Sequence, residues 1–321
     1  MAILTDFLKT IGNFSLRYKL IIIGFLVIWF LWPFGLGLLG GWLLAKGSLS
    51  KFPEIKKTDK ILVLAPHIDD EIIGAAGIIQ QANQIGAKIM IVYATNGDDN
   101  PISVLGQNKN YDPNDFISLG EKRMVEGKIA TSQLGLNNEN LIFLGYPDSG
   151  LDQMLNKFFY QDTAYTAKAT RLNYNPYQGT YRENQLYNGS NLSTNLGEII
   201  DKFSPTIIIT PHPRDAHPDH RALFYFLEKV LNERNIKVKK YAYLVHFRLY
   251  PPQKKLEMNK LLYPPKKLFS QEGWYSFDLS PEQEKKKLEA INQNLSQLKV
   301  AAFEDLLRSF VKKNEIFEEF E

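Results

Sequence analysis

Apolar residues along this chain fall in three spacings, and each spacing predicts a different element. The first is an unbroken block. From Leu20 to Ala45 the sequence reads LIIIGFLVIWFLWPFGLGLLGGWLLA without a charge, longer than the roughly 20 residues that cross a hydrocarbon core. It predicts a transmembrane anchor at residues 20–45, after an N-terminal tail at 1–19. Pro33 and the glycines at 35, 37, 40 and 41 predict a kinked or closely packed span. A cleaved secretory signal is the rival reading, but its apolar region usually runs only about 7–15 residues, and Leu43-Leu44-Ala45 makes a poor cleavage site.

The second spacing is the short continuous run of a strand buried on both faces. Ile61–Ala65, Lys88–Ala94, Leu141–Leu144, Thr206–Thr210 and Tyr241–His246 have this form. The third is helical: Glu71–Ile85, Leu119–Leu134 and Ala222–Leu231 alternate with those strands, and Ser280-Pro281-Glu282-Gln283 is a capping box that opens a C-terminal helical region. Strand, helix and parallel strand joined by right-handed crossovers predict an α/β fold, a Rossmann-like three-layer sandwich with a mostly parallel sheet. Residues 46–59, rich in Lys, Ser and Pro, read as a linker, and residues 60–321 as one catalytic-size domain. From 151 to 196 no period persists. This Tyr- and Asn-rich stretch reads as a long loop whose rings suit stacking on sugar faces.

Composition narrows the function. The 38 basic and 35 acidic residues are spread along the chain, which argues against a nucleic-acid partner. With no cysteine, disulfides, thiolate catalysis and Cys-ligated zinc are excluded, so any metal must be held by His and carboxylates. Arg17 and Lys19 abut the apolar block, while Lys46, Lys51, Lys56, Lys57 and Lys60 follow it. The count favours a cytoplasmic domain. The abutting pair favours retention of the tail inside and an extracytoplasmic catalytic domain of a single-pass membrane protein, which is the orientation expected here.

Four of the five histidines lie in two clusters at predicted strand ends, Pro66-His67-Ile68-Asp69-Asp70-Glu71 and His212-Pro213-Arg214-Asp215-Ala216-His217-Pro218-Asp219-His220. Ligands bind at the carboxyl ends of strands in open parallel sheets, so the clusters are expected to converge. Interleaved His and Asp predict a metal site with spare groups for proton transfer. Read singly, either cluster is also compatible with a helix N-cap followed by acids that favour the helix dipole.

The two clusters resemble the signature motifs His-Pro-Asp-Asp-Glu and His-Pro-Asp-His of the PIG-L/LmbE-like de-N-acetylases; the second is matched without change at His217–His220, and the first departs only at Ile68. The likeness runs over about residues 60–245, through Thr95-Asn96-Gly97-Asp98, Arg123 with Glu126, and Gly145–Gly150, with weaker likeness at Tyr243–His246 and Ser296-Gln297. The resemblance implies zinc, or another divalent ion, held by His67, Asp70 and His220. It implies Asp69 as general base and His217 as general acid, with Asp219 orienting His217. Arg123 and Asp148, and His246 at the pocket edge, are implied to hold substrate. The substrate implied is an N-acetylglucosamine-type sugar, on a glycolipid, a lipid-linked precursor or a surface polysaccharide, with the lipid bilayer contacted through the N-terminal helix. A metal-dependent phosphoesterase and a sugar-binding module with a relic site are the competing readings. The first needs a second metal, and retention of Asp69, Asp70, His217 and His220 together argues against the second.

Overall fold

The computed structural model describes residues 49–106, 111–160, 162–252, 254–269 and 273–320. The expected anchor at 20–45 lies outside them, and no helix among the described residues is long and apolar enough to cross a membrane.

Eight strands form one sheet: β1 (Ser50–Lys51), β2 (Lys60–Ala65), β3 (Lys88–Thr95), β4 (Leu141–Tyr146), β5 (Ile207–Pro211), β6 (Lys239–Tyr243), β7 (Trp274–Asp278) and β8 (Asn314–Phe320). Their order across the sheet is β1-β7-β8-β6-β5-β2-β3-β4. Strands β2 to β6 are mutually parallel, while β8 runs antiparallel between β6 and β7. The side-chain alternation of a strand splits each apolar run between two cores. Ile61, Val63 and Ala65 pack on one face with helices α1 (Asp70–Ile85), α3 (Pro113–Ser132) and α7 (Pro281–Ile291). Leu62 and Leu64 pack on the other with α4 (Leu151–Asn156), α5 (Gly189–Phe203) and α6 (Pro218–Arg234). The sheet is thus mixed, mostly parallel and covered by helices on both sides.

The chain moves outward from β2 to β3 and β4, then returns to place β5 against the opposite edge of β2, in register Ile61↔Ile207 and Val63↔Ile209. The turns leaving β2 and β5 therefore diverge from adjacent strand ends, the crevice where open α/β sheets bind ligands. Both His/Asp clusters sit there.

Three expectations are corrected. The linker region contributes β1 to the sheet edge, and Ile55 is buried. The acidic C-terminus is strand rather than helix: Ile316 and Phe317 are buried, while Glu315 pairs with buried Lys287 and Glu318 with His212. The 151–196 stretch contains α4 and the start of α5. Of its tyrosines, Tyr165, Tyr177 and Tyr187 are buried in packing, and Tyr160, Tyr174 and Tyr181 stay exposed.

Candidate metal and catalytic site

The turn after β2 is built to expose one carboxylate. Asp69 stands at the N-cap position of α1, yet its side chain makes no capping bond, and its backbone adopts φ 121°. A non-glycine residue in that region is strained by about 1–3 kcal/mol. Neighbours hold it there. Glu71 accepts the Asp69 N–H at 3.0 Å and the Tyr93 hydroxyl at 2.8 Å. The Arg123 guanidinium donates to the Ile68 carbonyl, to the Gly97 carbonyl at 2.8 Å and to Asp69 Oδ2 at 3.1 Å. Gly97 is required for this: its φ is +65°, and a Cβ there would lie 2.0 Å from Arg123 Nη1. Burial raises the Asp69 carboxyl to about 7, against the opposing pull of Arg123. Burial likewise raises Glu71, to about 8.

Asp70 turns the other way, and its Oδ2 lies 3.1 Å from His67 Nδ1 and 3.2 Å from His220 Nε2. Each imidazole has its second nitrogen on another carboxylate. His67 Nε2 is 3.1 Å from Asp148 and 3.5 Å from Asp219, and His220 Nδ1 is 3.3 Å from Asp215. His67 Nε2 and both His220 nitrogens are buried without a well-formed hydrogen bond. Burial opposes charge on both rings, but Asp148 beside His67 raises it well above its ordinary range, and Asp215 and Asp70 push His220 up to about 10. Burial would raise the Asp148 carboxyl, yet His67 holds it below the usual carboxylate range.

His67, His217 and His220 form one group whose ligand atoms lie within 4.8 Å of one another, as do Asp70, His220 and His246, and also His67, Asp148 and Asp219. The buried nitrogens lacking good partners and the mixed N/O donors around Asp70 fit a divalent cation held by neutral imidazoles and a carboxylate.

His217 caps α6, its Nδ1 accepting the Asp219 backbone N–H at 3.3 Å. Its ring stands 4.7 Å from His67 and 5.4 Å from His246, centroid to centroid. Burial and the adjacent His67 and His220 lower His217 to about 4, and burial and the adjacent His220 lower His246 to about 4. The Asp219 carboxylate was expected to orient His217. Instead its backbone does so, and the carboxylate accepts from Ser149 N at 2.6 Å and Leu151 N at 3.0 Å, fixing the loop after β4. Asp148 in that loop is held by Asp98, which accepts its N–H at 3.1 Å and the Tyr177 hydroxyl at 2.6 Å. Arg123, expected to reach substrate, lines the cavity with its guanidinium committed to Asp69 and two carbonyls.

All of His67, Asp69, Asp70, Arg123, Asp148, His217 and His246 line one cavity of about 330 Å³. Asp219 and His220, which are fully buried, support it from behind.

Sequence reading missed Asp215. It is buried, and it accepts backbone N–H groups from His217 at 2.9 Å, Val245 at 3.0 Å and His246 at 2.9 Å while facing His220. Its place between two histidines of one cluster was the available signal. His212 faces away from the site, stacking on Trp274 and pairing with Glu318 at 2.5 Å.

The fold is thus a mixed, mostly parallel α/β sheet with a His/Asp cluster, a candidate metal site, at the divergence of two central strands. Residues 62–231 match the PIG-L family model, described as GlcNAc-PI de-N-acetylase, over more than half of the chain, and the chain belongs to that family. Among solved structures, N,N'-diacetylchitobiose deacetylase from Pyrococcus horikoshii, complexed with its inhibitor MPG, is similar over 82% of this chain and 84% of its own, at 17% identity and TM-score 0.50. The zinc-inhibited form of teicoplanin deacetylase Orf2 is similar over 81% of this chain and 97% of its own, at 16% identity and TM-score 0.50. At these identities the likeness is one of fold. No curated protein sequence matches the chain significantly.

Proposed function

We propose that this chain is a metal-dependent deacetylase that hydrolyses the N-acetyl group of an N-acetylglucosamine-type sugar, releasing acetate and a free amine. The observation that carries the reading is the division of labour between adjacent aspartates. Asp70 faces both histidine ligands, whereas Asp69 is turned into the cavity by a strained backbone and Arg123. A helix cap would not need either feature. His67, Asp70 and His220 would hold the ion, zinc being the reading preferred, although N/O donor sets select weakly among divalent metals. Bound there, the ion supplies a Lewis acid and a water of lowered pKa.

Asp69 takes the proton from the water that attacks the acetamide carbonyl. Because His217 Nδ1 accepts a backbone N–H, its one proton is carried on Nε2 and is donated as a hydrogen bond to the developing oxyanion, while the proton that Asp69 took from the water passes to the leaving nitrogen as the C–N bond breaks. Arg123 acts on this chemistry by orienting Asp69, and Asp215 and Asp148 fix the rings of His220 and His67. Residues 20–45 would hold the domain at a membrane, facing outward, as the charges abutting that run favour.

The test is mass-spectrometric: metal-loaded protein incubated with N-acetylated sugars and, separately, their phosphate esters. Loss of acetyl mass with free acetate is the expected result. Phosphate release with the acetyl group retained would overturn the reading.

A further inference from the structure

The two ends of the parallel strands differ in charge. Their carboxyl ends carry the His/Asp cluster. At their amino ends the register sets Lys60 beside Lys88, and Ile61 beside Ile207, which in turn faces Lys239. Lys57 lies against Gly86, two positions before Lys88; Lys202 sits in the last turn of α5, just ahead of β5; and Lys237 precedes β6. Of these six lysines five are exposed and Lys60 is half-buried, and none forms an ion pair among the described residues. Acids of the same end are already engaged: Asp201 with Arg234, Glu228 with Lys240 and Glu233 with Lys229. Asp59 accepts the Lys56 N–H at 2.7 Å and the Thr206 hydroxyl at 3.1 Å, and Glu319 accepts the hydroxyls of Tyr241 and Tyr275. Two further exposed acids, Glu54 and Glu139, leave the face strongly basic. The chain enters the domain beside it. Ser50 pairs with Tyr275, and Tyr275 lines the same hollow as Lys237 and Lys239. Four residues carry the chain from Ala45, the end of the uncharged apolar run, to Leu49, a reach of at most about 14 Å.

We propose that this lysine face docks on a bilayer surface carrying anionic lipid headgroups, with the metal cavity on the far side of the sheet. The proposal rests on residues 20–45 being an anchor and needs nothing from the deacetylase reading. Each lysine within a Debye length of an anionic surface, about 8 Å at physiological salt, favours contact by roughly fivefold. The short tether keeps the face within reach of the headgroups, so contacts that are weak singly act together. Because β2 spans six residues, docking holds the metal site about 20 Å from the headgroups.

The chain has no cysteine, so a single introduced thiol carries a fluorophore at a chosen place. Thr58→Cys places it on the lysine face, at an exposed position. Leu105→Cys places it at the other end, in α2 (Pro101–Leu105), whose first two residues line the cavity. The full chain is reconstituted in nanodiscs of phosphatidylcholine alone, or mixed with phosphatidylglycerol, each with a lipid bearing a nitroxide on its headgroup. The expected result is strong quenching at residue 58 in the anionic discs, weak quenching there in the neutral discs, little at residue 105 in either, and reversal by raised salt. Lys88→Gln, Lys202→Gln and Lys239→Gln together lower the docked-to-undocked ratio by about 100-fold and bring quenching at residue 58 down to its level in neutral discs. The matching Arg triple variant keeps the quenching, which separates lost charge from lost structure. Equal quenching at both positions, or quenching at residue 58 that ignores lipid charge and the Gln substitutions, overturns the proposal. So does absence of quenching at residue 58 in anionic discs, including the case where duplex DNA or a second copy of the chain shields that label instead.

Discussion

Replacing Asp215 by alanine tests how far the centre depends on a residue that touches neither substrate nor the expected ion. The carboxylate, 1% exposed, accepts backbone N–H groups from His217, Val245 and His246 and stands 3.3 Å from His220 Nδ1. Each N–H left without a partner costs about 1–3 kcal/mol, and water entering the gap recovers part of this, so a loss of about 3 kcal/mol in stability is expected. Separately, removing the carboxylate that orients a metal-ligating imidazole lowers metal affinity by about 10–100-fold. The two effects are read apart by measuring zinc affinity through chelator competition at a temperature where circular dichroism shows the variant folded. Thermal unfolding supplies the stability loss. A folded variant with zinc affinity within twofold of the parent would refute the argument that Asp215 fixes His220.

Asp69→Asn should keep metal affinity and lose acetate release by about 10²–10⁴-fold, the usual contribution of a positioned base, checked by paired metal titration and kinetics. Gly97→Ala places a methyl group 2.0 Å from Arg123 Nη1 in a backbone at φ +65°; it should lower kcat through misplaced Asp69 and destabilise the fold by about 1 kcal/mol or more, read by kinetics and thermal melts. Glu315→Ala strips buried Lys287 of its carboxylate at 2.7 Å and leaves the Gly77 N–H unpaired, an expected loss of about 3–5 kcal/mol by denaturant unfolding. Restoring stability in the double variant Glu315→Ala, Lys287→Met would identify the stranded charge as the cause.

The central sheet was legible because β2, β3 and β5 are buried on both faces and therefore read as unbroken apolar runs. Convergence of the two clusters followed from their positions at strand ends. The antiparallel edge was not legible. In Asn314–Phe320 the polar positions Glu315 and Glu318 are satisfied by Lys287, His212 and Arg214, partners distant in sequence, so no local alternation announced a half-buried strand. The burial of Tyr165, Tyr177 and Tyr187 was hidden for a related reason: Tyr177 is tied to Asp98, 79 positions away. Arg123 and Asp219 were assigned their roles from resemblance, but their partners, Asp69 for one and the Ser149–Leu151 backbone for the other, depend on geometry that spacing does not encode. Asp215 lay inside a cluster already marked, and only its contacts with Val245 and His246 distinguish it from a loop acid.

The central claim is that the turns after β2 and β5 form one metal centre that cleaves an acetamide. It is tested most directly by titrating the metal-depleted full chain with zinc while following acetate release from an N-acetylglucosaminide, beside His220→Ala. The account predicts activity that rises to a plateau at about one zinc per chain, and loss of both tight binding and acetate release in the variant. Acetate release that persists in His220→Ala, or that is independent of added metal after complete depletion, would contradict it.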